Sequence, residues 1–439
     1  LLECRREITA YQNRTNLMSK KLIINNRWTI AAIAAICMLV IYGIRHSFAA
    51  FFPSILNDYG WTRGSTALMF SINVLLYGIL APIAGSLADR WKPKLMMSLG
   101  ILIIGISTAS CALVNELWQF YVLFGILLSL GTTFSGGPVM IPVVSRLFTR
   151  RRGAAIGILV AGGALSFSVV TYAEYLISMF DWRLAFVLLA ATATGIFIPL
   201  ILSFFRGQSK QQVKSSVETE EISISASKNP QESVTVSSDY GDLPLIQILK
   251  DYRLWLIALS YMLYMGIANY LVVAHQVVFF LDLGYDSLFA ASIAGAVGIF
   301  AALGALSGFL SDRIGREKIF TACCVLSIIS LLVLLSLKDT SNPWVLYIFV
   351  LSFGFPMGLF SPALIAGAAD LFYGKHFGTV NGIVFMGFGI GGAIGPWLGG
   401  YIFDITGDYS LAFIICIAAY IIACISFWIA APRRAKKTK

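Results

Sequence analysis

The stretch "GSLADRWKPK" at Gly85–Lys94 comes back as "GFLSDRIGREK" at Gly308–Lys318. Each copy sets a glycine, an Asp-Arg pair and a basic cluster at the end of an apolar run. Three more pairs follow in the same order. "LFTRRRGAAIGI" (Leu147–Ile158) matches "LFYGKHFGTVNGI" (Leu371–Ile383) with one insertion. "WRLAF" ending at Phe186 matches "YSLAF" ending at Phe413, and "DYGW" (Asp58–Trp61) matches "DLGY" (Asp282–Tyr285). Every offset lies within a few residues of the 224 that separate Asp58 from Asp282. One match would be chance; four in one register mark a duplication.

What is duplicated is apolar. Of 439 residues, 58% are hydrophobic and 12% charged, and the mean hydropathy is +0.81. A soluble domain cannot hide that much apolar surface. Twelve runs are long enough to cross a bilayer: 28–52, 64–88, 95–114, 118–146, 154–178, 184–205, 254–281, 288–310, 318–337, 344–370, 377–402 and 410–431. The stretch 207–250, which includes "SVETEEISISASKNPQESVTVSSD", has no apolar face and the composition of a mobile linker.

The expected fold is therefore an all-α polytopic membrane protein, with twelve transmembrane helices in two six-helix pseudo-repeats. Residues 28–206 form the first half and 251–431 the second, with the linker between them. Residues 1–27 precede the first span and 432–439 make a basic tail. "MSKK" at Met18 reads as a start, so residues 1–17 stand outside the fold argument.

The net charge of +10 is spread in short clusters between spans, not in a basic domain, which argues against nucleic acid. Of the 32 Lys and Arg residues, 28 fall on the side of the N-terminus, while Arg63, Arg183 and Lys338 fall opposite. That asymmetry predicts both termini and the linker in the cytoplasm, in a multi-pass protein of the inner (plasma) membrane. Six of the seven cysteines lie within apolar runs, with no ligand spacing among them. Neither a metal, a cofactor nor a disulfide framework is expected. No GxxxxGK[ST] phosphate loop and no nucleophile–base set stands out, so neither a pump nor an enzyme is expected.

The loop residues Gly85, Asp89, Arg90, Lys92 and Lys94, repeated as Gly308, Asp312, Arg313, Gly315, Arg316 and Lys318, resemble the major facilitator superfamily from Trp28 to Pro432. The first copy departs from the family pattern with Trp91-Lys92-Pro93 where a glycine is usual. "GIRHSFAAFFPSILNDYGWTR", "VSRLFTRRRGAAIGI", "NGIVFMGFGIGGAIGPWLGG" and "DITGDY" look like the bacterial branch of oxalate:formate antiporters and monocarboxylate transporters. The resemblance implies the major facilitator fold, a small organic anion as substrate and a site near the midplane between the halves. Better-known members of that branch carry a basic residue in helix 8 or 11. Here span eight has none before Arg313, and span eleven has none.

The deep cation here is Arg45, inside "VIYGIRHSFAAFFPS" (Val40–Ser54). A charge within hydrocarbon is costly and usually binds or pairs. By counting along the spans, Arg45 stands about 7 Å outward of the centre of span one, at about 1.5 Å per residue. Tyr42, Asn73 and Tyr77 fall at similar depth. A guanidinium with tyrosine and asparagine donors makes an anion pocket. The other role that fits Arg45 is an outer gate, paired with Glu174 or Asp58.

Tyr264 and Asn269 are the second half's candidates to complete the cavity, with Thr132, Thr133 and Ser135 of span four also at mid-depth. Glu174 and His275 lie nearer the outer surface, as proton-coupling groups or as a polar rim. Asp89, Arg90, Asp312 and Arg313 read as the cytoplasmic gate, with Arg146 and Arg150–Arg152 as partners. Gly387, Gly391, Gly395 and Gly399 make a flat stripe on span eleven. The family resemblance implies that this stripe meets Gly78 and Gly85 of span two across the halves. It implies the same for Gly153 and Gly157 against Gly304 and Gly308.

Two carriers fit: one moving a small monocarboxylate by proton symport or anion exchange, and a proton-coupled efflux carrier for amphiphilic molecules. The second needs a deep acid; the first needs a deep cation, which this chain has. The partners expected are the anion, protons and the bilayer, with the chain a monomer.

Overall fold

A computed structural model describes residues 27–91, 93–148, 152–200, 245–372 and 376–430. Among them are twelve helices long and apolar enough to cross a membrane. They are α1 (Arg27–Tyr59), α2 (Arg63–Leu87), α3 (Pro93–Leu113), α4 (Leu117–Val144), α5 (Ala154–Met179) and α6 (Trp182–Leu200). The second six are α7 (Tyr252–Asp282), α8 (Ser287–Ile314), α9 (Arg316–Ser336), α10 (Val345–Phe372), α11 (Phe377–Thr406) and α12 (Ser410–Ala430). No strand occurs among the described residues. In a bilayer only helices satisfy their own backbone, so an all-helical answer is the one open to spans of this kind.

The ends of the spans are set locally. Thr62 caps α2 by accepting from Ser65 N–H at 3.3 Å, and Asp286 caps α8 by accepting from Phe289 N–H at 3.1 Å. Gly60 and Gly407 close the helices before them in the left-handed region, at φ +62° and +79°, where a side chain would be strained. The helices α3, α6, α9 and α12 carry outward stripes of exposed apolar side chains, such as Leu102, Ile198, Leu332 and Ile425. Their place in a bilayer is against lipid.

Close backbone approach decides which faces meet. A Cβ built on Gly78 would stand 2.5 Å from Gly389 Cα, so α2 and α11 touch through two glycines. Gly392 meets Val74 and Gly400 meets Arg63 along the same seam. The stripe Gly387, Gly391, Gly395 and Gly399 faces elsewhere: toward Ala258, Met262, Ile267 and Leu271 of α7. The expectation that this stripe meets α2 is thus corrected. The span carries glycines on two faces, and Gly389, two residues from Gly391, points roughly to the opposite side at about 100° per residue. Gly85 faces Pro138 of α4 within the first half, and Gly304 and Gly308 face Phe355 and Pro362 of α10 within the second. A Cβ on Gly157 meets nothing, and Gly153's surroundings lie outside the described side chains. Between α5 and α8 the contacts are Gly295 with Thr171 and Gly298 with Phe167, and Thr171 donates to Ala291 O at 3.0 Å.

The halves are also locked at one face, the one carrying the α1–α2, α7–α8 and α11–α12 connections. Arg63 of α2 grips Asp282 of α7 with both ends of its guanidinium, at 2.6 and 2.8 Å. The same Arg63 donates to Tyr409 Oη at 2.9 Å and lies 3.6 Å over the Phe403 ring. Asp404 of α11 accepts the backbone N–H of Arg63 and of Gly64, each at 2.8 Å. Burial holds the Tyr409 phenol well above its usual range, so it stays a neutral hydroxyl. Two-point carboxylate recognition by arginine is strong and directional, and here it joins α2 to α7.

Two predictions follow from these contacts. Gly391→Leu forces a side chain into the α7 main chain, so it lowers the melting temperature of the purified protein, by overpacking worth about 1–3 kcal/mol. An unchanged melting temperature would show that α7 and α11 are not packed this closely. Asp282→Asn removes one charge of the lock. In a background without native cysteines, Ser71→Cys at the α2–α11 seam then reacts several-fold faster with a hydrophilic maleimide. Equal rates with and without the substitution would mean the ion pair does not hold the halves together.

Candidate functional site

The helices are irregular where they pass the middle of the bundle. α1 is interrupted by a turn at Ser47, α5 by a 3-10 turn at Ser166–Ser168, and α7 by a wide π turn over Met262–Asn269. α4 breaks between Ser135 and Gly137. Such breaks survive inside a membrane protein only if side chains take over the freed backbone groups. Here they do. Ser47 Oγ donates to Ile44 O at 2.7 Å, Ser166 Oγ to Gly163 O at 2.5 Å and Asn269 Nδ2 to Tyr264 O at 2.7 Å. The Gly137 N–H, past the break in α4, donates to Tyr42 Oη at 3.0 Å.

Three of these breaks surround Arg45. Its helix is longer than the sequence implied. α1 runs to Tyr59 because Asn57 and Asp58, which read as loop, are exposed helical residues beyond the apolar run. Arg45 stands two residues past Gly43, the midpoint of the described helix Arg27–Tyr59. It is 2% exposed. Asn73 of α2 accepts from Arg45 Nε at 2.7 Å, and its amide nitrogen donates to Phe124 O of α4 at 2.8 Å. That second bond fixes which end of the Asn73 amide faces the arginine. The guanidinium lies 4.3 Å over the Tyr77 ring and 5.7 Å from the Tyr42 ring centre. The two phenols are joined at 2.7 Å. The structure thus brings Tyr42, Arg45, Asn73 and Tyr77 into one cluster.

Every partner in that cluster is neutral. Among the described residues no carboxylate pairs with Arg45. Its Nη2 is buried without a hydrogen-bond partner. Asp58 instead accepts from Trp182 Nε1 at 2.6 Å. Glu174 lies beside Ser287 and Asp286 at the start of α8. The gate pairing of Arg45 with either acid is absent. Magnitudes show what is left over. A desolvated cation–π contact contributes up to about 2 kcal/mol, and a charged group at the bilayer centre costs a few kcal/mol or more. An unmet charged donor adds further cost. An acceptor carrying negative charge, placed at Nη2, would offset both.

The second half reaches this cluster through residues that the sequence reading passed over. Tyr270 of α7 interacts with Arg45 and stacks on Phe70 at 5.6 Å. His46 stands between the halves. Its Nδ1 is 2.8 Å from Ser166 Oγ of α5, and its Nε2 is 3.5 Å from Tyr270 Oη of α7. Its ring stacks on Phe167 at 3.9 Å.

The residues chosen from α7 turn elsewhere. Tyr264 is bonded to Ser327 Oγ at 2.9 Å and stacked on Phe360 at 4.3 Å, inside the second half. Asn269 spends its amide nitrogen on the Tyr264 carbonyl, while its Oδ1 is buried without a partner. Both were candidates by depth along the span, and depth does not say which way a side chain faces; both lie within the π turn Met262–Asn269. Gln276, seven residues past Asn269, is 1% exposed with both amide atoms unpartnered, and it too was missed.

His275 bridges Pro396 O at 2.7 Å and Tyr409 Oη at 3.0 Å. A carbonyl only accepts, so Nε2 carries the hydrogen. His275 thereby ties α7 to α11 and to the locking Tyr409. Thr132 and Thr133 bond the carbonyl of Ser129, and Ser135 that of Gly131, within their own helix. In the loop motif, Asp312 pairs with Arg316 at 2.6 Å, and Arg316 reaches Asp370 at 3.2 Å and Ser311 Oγ at 2.7 Å. Arg313 lies 5.7 Å from the Phe309 ring centre. The side chains of Asp89, Arg90, Arg146 and Arg152 lie outside the described ones, as do Arg150 and Arg151. No group of three or more metal-binding side chains occurs among the described residues.

The comparisons agree with this architecture. The sequence profile described as Major Facilitator Superfamily matches residues 34–366 and 299–439. Monocarboxylate transporter 13 of Rattus norvegicus is 21% identical, over 90% of this chain and 86% of its own length. The probable sulfoacetate transporter SauU of Cupriavidus necator is 26% identical, over 89% and 91%. A crystal structure of a bacterial homolog to the human lysosomal transporter Spinster, inward-facing and unoccupied, superposes with a TM-score of 0.64. It is 15% identical and covers 94% of this chain and 97% of that one. With twelve spans, a repeated loop motif and a profile match across most of its length, the chain belongs to the Major Facilitator Superfamily and is a multi-pass membrane transporter.

Proposed function

We propose that this transporter carries a small organic monoanion, a monocarboxylate, whose carboxylate is held by Arg45. The observation that carries the reading is the buried guanidinium with neutral partners only and an unmet Nη2. A carboxylate is the acceptor that matches a guanidinium in charge and planarity. Tyr42 and Tyr77 border the same space with hydroxyls. One uncompensated cation suits one negative charge, since a second carboxylate would lie unpaired in a medium of low dielectric. The relatives named for monocarboxylates and for sulfoacetate are named for organic acids, which supports the chemical class. A proton-coupled efflux carrier draws less support, because Glu174 of α5 lies against Asp286 and Ser287 at the start of α8 and not beside the cluster.

Movement is by alternating access. The two halves, divided at the linker 207–250, rock about the α2–α11 and α5–α8 seams. The Arg63–Asp282 lock holds one face shut. The excess of Lys and Arg on the even connections assigns the termini to the cytoplasm and the locked face to the outside of the inner membrane. The working unit is one chain, with no nucleic acid involved.

The test is acetate, lactate and formate counterflow in proteoliposomes, with matched amounts of inserted protein. Arg45→Gln lowers affinity for the transported acid about a hundredfold, the usual scale for truncating a buried charge partner. Arg45→Lys keeps the charge and loses the planar fork, and it weakens binding by about tenfold. Wild-type affinity in Arg45→Gln would reduce Arg45 to a structural part of α1.

A further inference from the structure

One group has no part in holding the anion: the buried imidazole beside the cation. We propose that His46 is the proton-binding residue of the transport cycle and that it acts through Tyr270, so that a proton on His46 and an anion on Arg45 bind cooperatively. The inference rests on the anion reading and names the coupling ion for it.

The geometry decides the tautomer first. Ser166 has one hydroxyl hydrogen, and it is given to Gly163 O at 2.5 Å. Ser166 Oγ therefore accepts from His46, and Nδ1 carries the imidazole hydrogen. Nε2 keeps a lone pair, which faces Tyr270 Oη at 3.5 Å. In this neutral state the Tyr270 hydroxyl is the donor of that contact.

A proton entering the site adds to the Nε2 lone pair. Both imidazole nitrogens then donate: Nδ1 to Ser166 as before, and Nε2 to the oxygen of Tyr270. Tyr270 turns from donor to acceptor, and its own O–H is released toward the other group it meets, the Arg45 end of the cluster. There it donates to a carboxylate held at Nη2. No covalent bond other than N–H forms, and the proton leaves by the same lone pair.

Electrostatics run the same way. A protonated His46 next to Arg45 sets two cations side by side, and an anion between them removes that repulsion. The ionisable groups set against His46 are Arg45 on its own helix and Tyr270 of α7; α5 offers Ser166 and Phe167. None is a carboxylate. Nothing among the described residues therefore supplies the negative charge that would hold the proton there without the substrate. Coupling of this kind is reciprocal: the proton helps the anion as much as the anion helps the proton.

His46 also joins three helices from both halves, α1 and α5 on one side and α7 on the other. Its link to Tyr270 crosses between the halves at mid-depth. Rocking of the halves must break or remake that link, which is where a coupling ion has to act.

The test uses purified full-length protein and acetate as probe, with affinity measured by calorimetry between about pH 5 and pH 8, the range in which histidine titrates. In wild type the affinity rises as pH falls, by at most about tenfold per pH unit, the limit for one linked proton. His46→Gln flattens that dependence. Tyr270→Phe, which removes one oxygen and leaves the stacking on Phe70 intact, also flattens it, and it decides the matter if His46→Gln does not fold. A wild-type pH slope in either variant overturns the proposal, as does a wild-type affinity that ignores pH. Wild-type acetate affinity in Arg45→Gln overturns the anion site itself, and this inference with it; a normal slope in the His46 variant with Arg45 still required overturns only the coupling role.

Discussion

A positive charge buried in a membrane protein, with no negative charge among the described residues to meet it, is the constraint around which this structure is arranged. Arg45 is 2% exposed and has Asn73, Tyr42 and Tyr77 for company. Its surroundings are fixed one layer further out. Asn73 is held by the Phe124 carbonyl, and the Ser129 hydroxyl in turn caps the Asn73 carbonyl at 2.9 Å. Tyr42 is held by the Gly137 N–H, which is free to donate only because α4 breaks at Gly136. The irregular turns are thus part of the site. They expose backbone groups that the polar side chains satisfy, and those side chains are then aimed at the centre.

The site connects to the faces of the molecule through α7. Tyr270 meets the cluster, His275 five residues on binds the Pro396 carbonyl, and Asp282 at the end of the helix takes Arg63 from the other half. One helix therefore runs from the Arg45 cluster to the Arg63–Asp282 pair. It packs closely on α11, glycine against backbone. A load on Tyr270 and a break at Asp282 are in this way events on one rigid element.

Much of this was legible in the sequence. Twelve spans follow from hydropathy and length, the duplication follows from four matches in register, and a buried arginine with tyrosine and asparagine at equal depth follows from counting along helices. What counting could not supply is phase. Tyr264 and Asn269 are at the expected depth of α7, but within its π turn they face Ser327 and the helix's own main chain, and it is Tyr270 that meets the cluster. The glycines of α11 recur on two faces, and spacing alone cannot say which face meets which helix. The lock was hidden for another reason. Asp58 and Asp282 are copies of one repeat position, yet Asp58 accepts from Trp182 and Asp282 from Arg63. Duplication preserves position; it does not preserve partners that lie 219 residues apart in the chain.

The central claim is that a negative charge is what the Arg45 cluster lacks. The most direct measurement compares a carboxylate with its neutral isostere on the unmodified protein: acetate against acetamide, and lactate against lactamide, by thermal stabilisation of the purified chain. The account predicts that the acids raise the melting temperature in a saturable way and that the amides do not. Equal stabilisation by amide and acid would contradict it, because a site that does not distinguish them is not answering the charge on Arg45.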